Sequence, residues 1–147
     1  MAMQKTTIGT VLAIAVMGVI VSALGGLVAT RTISNTGNVS AVGVGVYSDS
    51  GCTTALSSIH WGNMDPGATT SSTFYVKNEG TVSLTLTMTT GSWNPAGASS
   101  YITVTWNRQN YVLGAGLVVQ AVLTLSVSSS VSGITGFSFG ITITGTQ

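Results

Sequence analysis

Charge is what this chain has least of. Of its 147 residues, four are Lys or Arg and three are Asp or Glu, together 5%, against roughly a quarter in ordinary soluble domains. Lys5, Arg31, Lys77 and Arg108 are set against Asp49, Asp65 and Glu79. Without the first 29 residues, Lys5 is gone and the two signs balance. Such a surface offers no electrostatic footprint for nucleic acid and no basic patch for anionic lipid. It also gives little protection against self-association, which suits a subunit that associates.

Cysteine and histidine are almost absent too. Cys52 stands alone, so no intrachain disulfide forms. It reads as a buried or half-buried thiol, with an intermolecular bridge or a reactive thiol as the alternative. A nucleophile needs a base positioned beside it, and the one histidine, His60, only shares a stretch of sequence with Cys52. The three acids lie near turn signals, which excludes an obvious carboxylate pair for glycoside hydrolysis. Asp49-Ser50-Gly51 is too short for a calcium loop and reads as a turn. No nucleotide-binding glycine pattern precedes a helix, because no sustained helical period follows residue 29. The expectation is a non-enzyme with no catalytic, metal or cofactor-binding residues.

What is present begins with a leader. Residues 1–7 carry one positive charge, Lys5, and residues 8–29 carry none. Residues 8–21 read as the apolar core of a secretory signal, and Val21-Ser22-Ala23 fits small-residue cleavage after Ala23. Leu27-Val28-Ala29 is a second candidate, with cleavage after Ala29. The run of about 20 residues is also long enough to span a bilayer if retained. Gly25-Gly26 would weaken such a helix near its end, which favours cleavage. The expected organisation is a leader over residues 1–29 and one domain over 30–147. The expected location is extracellular or cell-surface, with membrane contact only through the leader before processing.

The remainder alternates between apolar and Ser/Thr positions. Val42, Val44 and Val46 alternate with Gly43 and Gly45, a strand with one bare face of the kind found where another backbone comes close. Residues 58–61 form a short strand. Asp65-Pro66-Gly67 is a turn in which Pro sets the first corner and Gly supplies positive φ at the second. Residues 72–77 alternate, with Phe74 and Val76 on one side, and Asn78-Glu79-Gly80 turns the chain. Val82, Leu84, Leu86 and Met88 alternate with Ser and Thr; residues 91–100 read as a loop around Trp93. Ile102, Val104 and Trp106 mark another strand, residues 107–116 a turn region. Val119 to Val127 and Phe137 to Ile143 complete the pattern. Roughly seven strands with turn signals between them indicate an all-β, Ig-like or jelly-roll-type sandwich behind the hydrophobic leader.

Three sites merit attention. Residues 24–33, with Leu24, Leu27, Val28, Ala29, Arg31 and Ile33, have extended character and little capacity to pack on themselves. They serve either as a donor-strand arm that adds to the edge of the next subunit or as the first strand of their own domain. Asn38-Val39-Ser40 is a glycosylation acceptor pattern, placed where a surface loop is expected. Trp93 is the best aromatic for an exposed contact, with packing against the end of the sandwich as its alternative.

Several of these elements together resemble the TasA/camelysin family and related archaeal pilus subunits. They are the leader, the strand at 42–47, the Asp-Pro-Gly turn at 65–67, the strand at 74–77, and Asn78-Glu79-Gly80 followed by Leu84 and Leu86. The second half, with Trp93-Asn94-Pro95, Tyr101-Ile102, Trp106-Asn107 and residues 137–145, looks like archaeal surface proteins of the same general type. The resemblance implies secreted sandwiches that form extracellular filaments by donor-strand exchange from an N-terminal segment. Protease activity described in camelysin relatives finds no matching metal site or nucleophile here, and the chain is shorter than a typical bacterial member. The expected function is a structural filament or pilus subunit whose partner is another copy of itself. The alternatives are a type IV-pilin-like subunit that retains residues 8–29 as a helix, and a monomeric carbohydrate-binding sandwich using Trp93.

Overall fold

Period-two patterning becomes nine strands in a computed structural model, which describes residues 33–147. In chain order they are β1 (Ile33–Val42), β2 (Gly45–Tyr47), β3 (Ser58–Met64), β4 (Thr69–Lys77) and β5 (Leu84–Asn94), then β6 (Ile102–Trp106), β7 (Val112–Leu113), β8 (Val118–Val127) and β9 (Gly136–Thr146). A 3-10 turn at Ala96–Ser100 separates β5 from β6. One sheet has the order β3-β1-β9-β5-β7 and the other β2-β4-β8-β6. All pairings are antiparallel except β1 with β9, where Ser34 to Val42 run alongside Gly136 to Thr144.

The core lies between the sheets and is built from alternate residues, as the pleat requires. From β8 come Val119, Ala121, Leu123, Leu125 and Val127; from β9 come Phe137, Phe139, Ile141 and Ile143, all buried. Phe74 and Val76 of β4 and Leu84 and Leu86 of β5 close the space between them. Each of these side chains larger than alanine contributes about 1.5–3 kcal/mol relative to exposure. The facing Thr and Ser of β8 and β4 pair across strands, Thr69 with Ser126 at 3.0 Å and Ser71 with Thr124 at 3.2 Å.

The turns obey their chemistry. Ala68 N–H donates to Asp65 C=O at 3.0 Å, and Gly67 has φ +83°. Gly80 N–H donates to the Asn78 side-chain oxygen at 2.9 Å.

Three strand expectations need correction. The predicted strand at 42–47 is two segments broken at Gly43, which has φ +77°. The break reverses the facing, so Val42 is 54% exposed while Val44 and Val46 are buried. A Cβ at Gly43 would lie 2.6 Å from the Gly145 carbonyl oxygen, so bare glycine is required there for close backbone approach. Second, residues 33–42, which carry the Asn38 pattern expected in a loop, form strand β1, and Asn38 pairs with Ser58 and Gly140. Its polar, glycine-containing sequence hides a strand held by backbone pairing on both flanks. Third, Trp93 is on β5 rather than in a loop, because β5 continues to Asn94 through a bulge between Gly91 and Asn94 that interrupts the period of two.

Candidate functional site

No group of three or more His, Cys, Asp or Glu side chains that could hold a metal ion occurs among the described residues. The surfaces with something to offer are strand edges and one end of the sandwich.

The five-stranded sheet ends at β3 and β7, the four-stranded sheet at β2 and β6. The β2 edge is covered: Tyr47 bridges Ala55, Leu56 N–H donates to Val46 C=O at 2.9 Å, and Ser48 N–H donates to Thr54 C=O at 2.9 Å. That cover is itself fastened by Asp49. Its carboxylate accepts from Thr53 N–H at 3.0 Å, Thr53 Oγ1 at 2.7 Å and Thr54 N–H at 2.8 Å. The Thr53 hydroxyl first, and then the Thr54 and Thr53 amides, hold the Asp49 carboxyl below its usual range. Tyr47 donates its hydroxyl to Glu79. That bond, with burial and the Glu79 charge behind it, pushes the Tyr47 phenol up. Cys52 is a free, half-buried thiol at φ 53°, in the turn closed by its own N–H to Asp49 C=O at 3.1 Å.

At the other edge of the five-stranded sheet, β7 covers only the first turn of β5, pairing at Leu84 and Thr85. Next, the loop backbone pairs with Leu86, whose N–H donates to Tyr111 C=O and whose C=O accepts from Asn110 N–H, both at 2.8 Å, and at Met88 a side chain stands in for a strand. Gln109 Oε1 accepts from Met88 N–H at 3.1 Å and from Trp106 Nε1–H at 2.8 Å. Because Met88 belongs to one sheet and Trp106 to the other, Gln109 ties the sheets together along one flank. Arg108 reinforces the same loop. Its Nε donates to Gln120 C=O at 2.7 Å, and its guanidinium sits 4.9 Å from the Tyr111 ring centroid.

The remaining edges, β3 and β6, carry no further strand among the described residues. β3, Ser58–Met64, and β6, Ile102–Trp106, contain no Lys, Arg, Asp, Glu or Pro. His60 is exposed on β3.

The two ends of the sandwich differ. At one end the chain passes into β1 at Ile33, beside Met64 and Gly136. Trp93 packs there, stacked on Phe139 with centroids 4.5 Å apart and tilted against Phe137 at 6.3 Å. The packing reading of Trp93 is the one its half-buried ring fits. Trp106 stacks against Phe74 at 6.4 Å, and Trp61 is buried.

At the opposite end Asn78 is a fully buried hub. Its Nδ2 donates to Val82 C=O at 2.7 Å and Leu113 C=O at 3.0 Å, and its Oδ1 accepts from Gly80. Its backbone N–H donates to Leu117 C=O at 3.0 Å, and its C=O accepts from Gly116 at 2.9 Å. Around this hub stand Val42, Val82, Tyr111, Val112, Leu117 and Val118, all exposed, from 39% at Tyr111 to 63% at Val112. Registers put three of them at this end of the two sheets: Val42 with Thr144 and Val112 with Thr85 beside Thr146 in one, Val118 with Lys77 in the other. An open groove lined by Gly43, Gly80, Val82, Leu84 and Gly145 runs into the same end.

Sequence reasoning missed this apolar end. The signal was Tyr111-Val112 and Leu117-Val118 amid turn-forming residues, but exposure depends on which neighbours cover them. Of the arm residues, Ile33 opens β1 opposite Met64; Leu24, Leu27, Val28, Ala29 and Arg31, with both cleavage points, lie outside the described residues. No protein-family model matches the chain, and no curated protein matches it significantly.

Proposed function

We propose that this chain is a structural subunit of an extracellular filament or pilus, an Ig-like or jelly-roll-type sandwich that polymerises by adding its N-terminal arm to a sheet edge of the next copy. The observation that carries the reading is the pair of outer strands β3 and β6, which lack Lys, Arg, Asp, Glu and Pro. Monomeric sheet proteins blunt such edges with charge, proline or a cover. Here the cover exists at β2, and Gln109 serves β5, but β3 and β6 are left to a partner. An arm laid along either strand gains a ladder of backbone hydrogen bonds and a side-chain seat at every second residue. The leader supplies the route to the outside, and the near absence of charge supplies little repulsion between subunits.

Electron microscopy of surface fibres tests the reading, comparing the full chain with a variant lacking residues 24–32. The expected result is loss of fibres, with the far-ultraviolet signature of β-structure retained. Fibres that persist unchanged after the deletion remove strand addition by the arm.

A further inference from the structure

Asn38-Val39-Ser40 takes no part in strand addition. It is the only place in the chain where Ser or Thr stands two residues after an asparagine, and Val39 meets the requirement that the middle residue is not proline. β1 turns Val39 toward the core and exposes both Asn38 and Ser40 on the outer face of the five-stranded sheet. We infer that Asn38 is modified by an N-linked glycan whose first sugar lies across a bare row of that face. The inference rests on the export half of the filament reading and needs no polymerisation.

The bare row is set by register. Asn38 pairs with Gly140 of β9, and Gly140 with Gly91 of β5. The fold itself demands glycine at neither position, since neither has a positive φ. A Cβ at Gly91 would meet nothing within 4 Å, and one at Gly140 would come no closer than 3.5 Å to the Gly91 carbonyl oxygen, an ordinary contact. Glycine inside a strand weakens it and marks places where a ligand or another backbone comes close. The row is walled by Thr36, Ser138 and Asn94 on one side and by Ser40, Thr142 and Thr89 on the other. Along β1, Thr36 and Ser40 stand about 13 Å apart, room for a sugar ring laid flat. The walls offer hydroxyls and an amide to the hydroxyls of such a ring, and no charge. Asn38 stands at one end of the two glycines, so a sugar bonded to it is the occupant already within reach.

Attachment precedes closure of the sheet. β1 is the first described strand, and β9, which pairs with it from Ser34 to Val42, is the last. While the chain is being exported, β1 has no β9 beside it, and the Asn38 segment is free to bend into a transferase. The Asn38 side-chain nitrogen forms a bond to the anomeric carbon of a lipid-phosphate-linked sugar. The bond from that carbon to the phosphate oxygen breaks, the lipid phosphate leaves with the electron pair, and an amide proton passes to a base on the transferase. Nothing is oxidised or reduced. A chain with charge on 5% of its residues gains a cover that its side chains do not supply, bulky and hydrated, which holds two flat faces apart.

The test is mass spectrometry of the protein recovered from the surface of its native cells. Trypsin cuts after Arg31 and Lys77, so residues 32–77 leave as one peptide that holds the whole motif. That peptide should be heavier than its sequence by whole sugar residues, and its fragments should place them on Asn38. Asn38→Gln and Ser40→Ala should each remove the addition, and Ser40→Thr should keep it. Fragmentation of the parent peptide needs no variant and stands if one of them fails to fold. Through-space NMR contacts should join the first sugar to the α-protons of Gly140 and Gly91. An unmodified peptide from surface protein overturns the inference and leaves the filament standing. An addition that survives Asn38→Gln sits on a hydroxyl and overturns the site. A sugar without contacts to Gly140 and Gly91 overturns its seat in the row. A chain that carries the glycan on Asn38 and never polymerises supports the site and overturns the filament.

Discussion

β9 and β1 lie side by side, parallel and in register over nine residue pairs, Ser34 with Gly136 through Val42 with Thr144. They are anchored by different means. β9 sends Phe137, Phe139, Ile141 and Ile143 into the core, and every one is buried. β1 sends in Asn35, Gly37 and half-buried Val39, while its last residues, Ala41 and Val42, are exposed. β9 is therefore held by side chains, and β1 by its two ladders and by fit against its neighbours. Centrality in a sheet and commitment to a core are separate properties. A strand of the second kind loses little hydrophobic free energy when it leaves, since a backbone ladder can be rebuilt against another chain.

The sharpest way to break this comparison is Phe139→Ala. The ring is 1% exposed and stacks on Trp93 and Phe137. Loss of about 3–5 kcal/mol is expected from urea unfolding. A loss near that for Val39→Ala would erase the contrast between strands.

Gly43→Ala comes next. The substitution puts a Cβ 2.6 Å from the Gly145 carbonyl at φ +77°, so both clash and left-handed strain oppose it. A cost of about 1–3 kcal/mol is expected, read as a lower urea midpoint with an unchanged slope. Val39→Ala should cost only about 1 kcal/mol, since its side chain is partly buried. Amide exchange would sharpen the point, with β1 amides exchanging faster in that variant while Phe139 to Ile143 stay protected.

The smallest expected effect concerns the clip over β2. The Asp49 carboxyl is held below its usual range by Thr53 and Thr54. Its contribution is present above the unfolded-state value and is lost as pH falls through the lower folded value. Exchange at the Thr53 and Thr54 amides, normalised to the intrinsic rate at each pH, should accelerate only in that acid window, and β9 should not respond there. Asp49→Asn should flatten the profile.

The legibility of the two strands followed their anchoring. Four large apolar residues at a period of two make β9 readable before any coordinates, and β8 with its five inward residues was equally plain. Nothing local marks Ser34-Asn35-Thr36-Gly37-Asn38 as a strand, because its partners lie far away at residues 58–63 and 136–140. The strand at 42–47 was misread for a related reason. A glycine inside an alternating run reads as a bare face until its φ turns positive and exchanges the faces. The sequence around Trp93 reads as a loop because the bulge at 91–94 breaks the alternation. Two-residue β7 has no period to detect. The edge positions of β3 and β6 were also out of reach, since being outermost is a property of the strand order and not of the strand.

The Asn78 hub sets a limit on chemical ageing. Both amide hydrogens are spent on the carbonyls of Val82 and Leu113, at 2.7 and 3.0 Å. Hydrolysis of that amide to a carboxylate would replace two donors with an acceptor-only group and aim negative oxygen at two carbonyl oxygens. The loops at 80–82 and 113–117 would then repel the very residue that joins them. An intact side-chain nitrogen at one position thus governs how long this end of the protein keeps its shape.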